Sequence, residues 1–97
     1  MTIHKAMNGS EMVMELSGWL DTQTAPELEA AIGALDGAAA SLILDLKELE
    51  YISSAGLRQL VAAHKKMNGN LTIRNASAEI MDVLRMTGFD KRLHIEE

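Results

Sequence analysis

The chain contains no cysteine, which removes disulfide frameworks, thiolate metal sites and thiol nucleophiles and suits a reducing compartment. Its aromatics are Trp19, Tyr51 and Phe89 alone, too few for the stacking platforms that hold single-stranded nucleic acid. Basic side chains are outnumbered, 9 Lys and Arg against 14 Asp and Glu, and the net charge of −5 opposes attraction to phosphate backbones. Arg58, Lys65, Lys66, Arg74, Arg85, Lys91 and Arg92 are scattered without interleaved aromatics, so direct nucleic-acid binding is not expected. Apolar runs are short and broken by Asp, Glu or Gly, and no basic stretch precedes an apolar block near the start. Neither membrane insertion nor a secretory signal is expected, and a cytoplasmic location is the default. Walker and dinucleotide glycine patterns are missing, and His4, His64 and His94 fall in separate elements without metal-ligand spacing, so no cofactor or metal is expected.

What is present is a 47% apolar chain of 97 residues, enough to bury one core without staples, read as one domain over residues 1–97. Thr2 to Met7 ends in Asn8-Gly9, a favoured hairpin dipeptide, and Glu11 to Gly18 returns with Met12, Met14 and Leu16 on one face and Val13, Glu15 and Ser17 on the other. Thr24 and Glu27 have capping-box spacing around the only proline, Pro26, which sits where its missing N–H costs nothing. Leu28, Ala31, Ile32 and Leu35 then form a helical stripe, with Gly37 as its left-handed stop.

The run Leu42-Ile43-Leu44-Asp45-Leu46 reads as a central strand covered on both faces, in which Asp45 needs a partner and fixes a neighbouring loop. A second helical stripe, Leu57, Leu60, Val61, His64 and Met67, stops at Asn68-Gly69. Leu71 to Arg74 forms a short strand, Ser77 to Thr87 a helix ended by Gly88, and Leu93-His94-Ile95 a last edge strand. An opening hairpin followed by this alternation predicts an α/β fold: a mixed sheet with parallel neighbours and helices packed on it. The methionines, numerous for this length, are expected mainly as core filler.

Between the central strand and the second helix stand two adjacent hydroxyls, Ser53 and Ser54. Serine is a favoured N-cap, and a helix start also accommodates an anion because its N–H groups are unpaired and its dipole is positive. A hydrolytic nucleophile is disfavoured, because a nucleophile elbow requires glycines at both flanking places around Ser54, held here by Ile52 and Gly56, and the first is not glycine. Asp21, just before the first helix, reads as a cap or as part of a recognition surface beside the serines.

Gly18-Trp19-Leu20-Asp21, Leu42-Ile43-Leu44-Asp45-Leu46, Tyr51-Ile52-Ser53-Ser54-Ala55-Gly56-Leu57 and Thr87-Gly88-Phe89 together make the chain resemble the STAS domain family, specifically bacterial anti-sigma factor antagonists, essentially end to end. The family's usual turn is Asp-Ser-Ser/Ala-Gly-Leu, with the first serine phosphorylated. Alignment on Gly56-Leu57 puts Ser54 at the acceptor position, with Ser53 standing in place of the family's Asp as an alternative acceptor. The resemblance implies a non-enzymatic partner switch. The unmodified protein binds an anti-sigma factor serine kinase through Asp21, Ser53, Ser54, Ala55, Gly56, Leu57 and Arg58; phosphorylation ends binding and a serine phosphatase restores it. A cytosolic STAS subunit of a lipid-transport ABC system, or a scaffold piece of a signalling assembly, remains the alternative.

Overall fold

A two-residue turn folds β1 (Thr2–Asn8) antiparallel onto β2 (Glu11–Leu20), with Ile3 opposite Leu16 and Lys5 opposite Met14. The structure, a computed structural model, describes residues 1–35 and 37–96. Because Asn8 pairs with Glu11, the turn residues are Gly9-Ser10 rather than Asn8-Gly9. Gly9 takes φ +65° at the first central position, a conformation glycine adopts without steric cost. The chain continues through α1 (Ala25–Gly33), β3 (Ser41–Ile52), α2 (Ser54–Lys66), β4 (Leu71–Arg74), α3 (Ala78–Thr87), a single 3-10 turn at Phe89–Lys91 and β5 (His94–Glu96).

The sheet order is β1-β2-β3-β4-β5, parallel from β2 onward. Strand order that advances in one direction through right-handed crossovers puts every crossover helix on the same face. Burial agrees: Met14, Leu44 and Ile73, in register across three strands, are fully buried, whereas Val13, Ile43 and Thr72 on the opposite face are half-buried. The expectation that the central strand is covered on both faces is therefore corrected. One face of β3 meets the helices through Leu42, Leu44 and Leu46, and the other stays partly open.

β3 also runs six residues beyond the expected end at Leu46, through a stretch containing Lys47, Glu48 and Glu50. Register shifts against β2 between Glu15 and Ser17, and again between Gly18 and Trp19, insert an extra β3 residue each time. Such bulges reset which residues point inward, so Leu49 and Ile52 are buried although the polar run between them breaks simple alternation. α1 ends at Gly33, short of Gly37, because Leu35 N–H turns to the Ile32 carbonyl and tightens the last turn; Gly37, at φ +83°, lies in the connection. On α2 it is Ala63 rather than His64 that faces the core. α3 follows the expected pattern, with Ser77 Oγ accepting from Ile80 N–H and Gly88 in the left-handed cap. Of the methionines, Met14 and Met67 fill the core, whereas Met7 and Met86 are exposed.

Asp45 sits on the open face and does fix its neighbours. Its carboxylate accepts from Lys47 N–H at 3.0 Å, Arg74 Nη2 at 3.2 Å and Asn75 Nδ2 at 3.2 Å, tying the first bulge of β3 to the end of β4. Burial pushes its pKa up, but the three hydrogen bonds and the Arg74 charge outweigh that and hold it below the ordinary 3.8. A depressed folded value means that Asp45 contributes stability above the unfolded pKa, lost as the pH falls through the folded one. Urea titrations across this acid range are expected to show Asp45→Asn losing less stability than the wild type as the pH drops. Equal acid sensitivity of the two proteins would refute the assignment.

Candidate functional site

Parallel strands deliver β2 and β3 side by side to the same edge of the sheet, and both chains turn there into helices. The two turns are stitched together: Ser53 N–H donates to the Leu20 carbonyl at 2.9 Å. Gly56 completes the junction, because a Cβ at this position would lie 2.8 Å from Ile52 Cγ1, 2.8 Å from Leu20 Cγ and 2.9 Å from the Leu20 oxygen. Only a residue without a side chain lets the first turn of α2 approach β2 so closely.

The two serines divide their roles. Ser53 has extended backbone and is the N-cap of α2, its Oγ accepting from Gly56 N–H at 3.3 Å. Ser54 is the first helical residue, is exposed, and its hydroxyl makes no hydrogen bond within the protein among the described residues. Arg58, one turn further along, is exposed as well. Ala55 is half-buried, while Gly56 and Leu57 are buried, Leu57 to 3% exposure. These last two therefore shape the site from beneath rather than lie on its surface.

On the β2 side, Asp21 organises its own turn. Its Oδ1 accepts from Gln23 N–H at 3.0 Å and Thr24 N–H at 3.1 Å. Thr24 Oγ1 accepts from Asp21 N–H at 2.8 Å and donates to the Trp19 carbonyl at 2.8 Å. The capping box expected from Thr24 and Glu27 does not form, because the Thr24 hydroxyl is committed backward to this turn and makes no side-chain cap bond to α1. Hydrogen bonding from Thr24 N–H, aided by its hydroxyl, by Gln23 N–H and by the N-terminal charge, lowers the Asp21 pKa against a weaker desolvation effect. The carboxylate is thus held ionised in the turn that follows the Trp19 end of β2.

Residue-type patterns alone did not pick out the aromatic pair beside the serines. Trp19 and Tyr51 face each other in register, ring centroids 5.1 Å apart and tilted 43°, and are 57% and 45% exposed. Two of the three aromatics in the chain thus stand on the surface while aliphatic side chains fill the core. A sign was available, since Trp19 shares the odd-numbered face of β2 with Val13, Glu15 and Ser17, the face away from the helices.

The site therefore combines an exposed helix-N-terminal hydroxyl, a buried glycine at a close helix–strand contact and an aromatic pair, all at the C-terminal ends of β2 and β3. The family model described as "Mlab, STAS domain" matches residues 3–96. The chain belongs to the STAS domain family. BtrV of Bordetella bronchiseptica, described as an anti-sigma factor antagonist, is 33% identical over 78 residues, spanning 76% of this chain and 67% of that protein. The crystal structure of an anti-sigma factor antagonist from Mycobacterium paratuberculosis superimposes with a TM-score of 0.87 at 29% identity, covering 97% of this chain and 83% of that one. The phosphorylated form of SpoIIAA, a Bacillus cell fate determinant, has the same fold, with a TM-score of 0.76 at 19% identity over 99% of this STAS chain and 92% of its own. Among the described residues, no helix is long and apolar enough to cross a membrane.

Proposed function

We propose that this STAS protein is an anti-sigma factor antagonist that works as a phosphorylation-controlled partner switch, binding an anti-sigma factor serine kinase while unmodified and releasing it once Ser54 carries phosphate. The observation that carries this reading is the free, exposed Ser54 hydroxyl at the start of α2, beside the Asp21 turn and the Trp19–Tyr51 pair. Ser53 is the less suitable acceptor, because its oxygen already accepts the Gly56 N–H. Support also comes from the relatives named above, and from the existence of this fold in a phosphorylated form in SpoIIAA.

The switch follows from local electrostatics. A phosphate at Ser54 meets the unpaired N–H groups and positive dipole end of α2, so the free protein tolerates it without refolding. The same group brings roughly −1.5 to −2 charges to the middle of a contact surface, where an unmatched charge must be stripped of water on docking. A serine phosphatase returns the protein to its binding form. The direct experiment is calorimetric titration of the anti-sigma factor with the protein before and after treatment with kinase and ATP. Binding is expected before treatment and not after, and equal affinity for the two forms would overturn the reading.

The aromatic pair supplies the apolar anchor of this surface. Exposed Trp and Tyr are the side chains most often found to dominate protein interfaces. Trp19→Ala is expected to weaken binding by roughly 30-fold, the equivalent of about 2 kcal/mol. Because Trp19 is more than half exposed, the loss in stability should stay near the worth of one aromatic contact, about 1 kcal/mol. Calorimetry paired with thermal melts separates the two quantities.

A further inference from the structure

Beside its core-facing stripe, α2 carries a second one that is exposed at Arg58, Ala62 and Lys65 and meets the margin of the core only through half-buried Val61. Arg58, Val61, Ala62 and Lys65 recur at i, i+3, i+4 and i+7 on its outer side and, with Phe89 and Arg92 across the way, line a groove of about 340 Å³. The Arg92 guanidinium lies 5.5 Å from the Phe89 ring centre, closing one wall. Val61, Ala62 and Phe89 make the floor apolar, and the charged groups at its margins are all positive although the chain as a whole carries −5. Among the described residues the ion pairs are Arg74–Asp45 and Arg85–Asp82, so none of the three groove cations is neutralised by a carboxylate.

From this geometry we infer that the groove receives an acidic amphipathic helix of the anti-sigma factor, extending the contact from Ser54 along the length of α2. The inference rests on the partner-switch reading. Arg58 and Lys65 are seven residues apart, two helical turns or about 10.5 Å. A partner helix laid alongside α2 satisfies both with carboxylates at the same seven-residue interval, while its apolar residues between them meet Val61, Ala62 and Phe89. This is the helix-in-groove mode, and the small Ala62 side chain allows close approach of the two helices. Arg58 stands one turn from Ser54, so the groove and the phosphorylation surface form one continuous face.

The test compares the wild type, Lys65→Glu/Arg92→Glu and Ala62→Asp in calorimetric titration against the cognate anti-sigma factor at low and high salt, with thermal melts of each. Lys65 and Ala62 are exposed, so the variants are expected to fold, and Ala62→Asp leaves the Arg92–Phe89 contact intact. Both variants should bind at least about tenfold more weakly at low salt, and the charge-reversed protein should lose most of its salt dependence. Phosphorylation of Ser54 at saturating kinase should persist. Wild-type affinity and salt dependence in both variants would overturn the groove while leaving the switch standing. So would a finding that the variants abolish a self-association of this chain, which would make a second copy the occupant. A wild-type protein that fails to bind the anti-sigma factor at all would remove the functional reading and the groove assignment together.

Discussion

Ser54→Ala leaves the protein unable to take up a phosphoryl group from an anti-sigma factor kinase and ATP, while Ser53→Ala remains a substrate. Intact-mass measurement before and after the reaction reads both results. The asymmetry arises because the two hydroxyls have different local duties: among the described residues Ser54 Oγ has no partner to give up, whereas Ser53 Oγ holds the Gly56 N–H. Ser53→Ala should therefore appear chiefly as the loss of a helix cap, about 1 kcal/mol of stability. The companion substitution Ser54→Asp places a fixed carboxylate in the contact surface. A charge left unpaired on docking costs about 3–5 kcal/mol, or roughly 10² to 10⁴ in Kd. Calorimetry should show that loss with the fold intact, because a carboxylate in the first turn of a helix favours the dipole. A full phosphate uptake by Ser54→Ala, or undiminished affinity in Ser54→Asp, would contradict the switch.

Gly56→Ala is expected to destabilise the protein by about 2 kcal/mol, against the usual direction of a glycine-to-alanine change inside a helix. Alanine ordinarily gains about 1 kcal/mol there through helix propensity. Here the new methyl would sit 2.8 Å from the side chains of Ile52 and Leu20 and 2.9 Å from the Leu20 oxygen, closer than real carbon contacts allow. Neither neighbour can swing away, since Leu20 is fully buried and Ile52 nearly so. Relief requires the start of α2 to lift from β2, which stretches the Ser53 N–H to Leu20 carbonyl bond joining the two turns. For a chain of this size the shift corresponds to a fall of roughly 8–16 °C in Tm. The folded fraction should also be a poorer kinase substrate, because the same movement displaces Ser54. A melt at or above the wild-type temperature would show that the close approach of helix and strand does not limit the fold.

Much of the architecture could be read from residue order. The period-two alternation of Met12, Met14 and Leu16, the stop at Gly88 and the cap at Ser77 are local features, and the structure follows them closely. Where reading failed, the missing information was nonlocal. The last six residues of β3 look polar because two bulges against β2 reset their facing, and a bulge is a property of a strand pair rather than of one strand. Thr24 and Glu27 carry capping-box spacing, yet the Thr24 hydroxyl is drawn back to Trp19 and Asp21 by a turn that spacing rules do not register.

The sequence by itself determined that two serines stand where an apolar strand hands over to a helix, because hydrophobic period and capping chemistry act over only a few residues. Which serine is spent as the cap and which stays free, that Gly56 must be glycine, and that Trp19 meets Tyr51 were decided only when parallel pairing brought the ends of β2 and β3 together. The last two depend on contacts between residues some thirty apart in the chain, set by sheet register and helix packing, while the Ser53 cap bond spans three residues and follows from where that junction starts the helix.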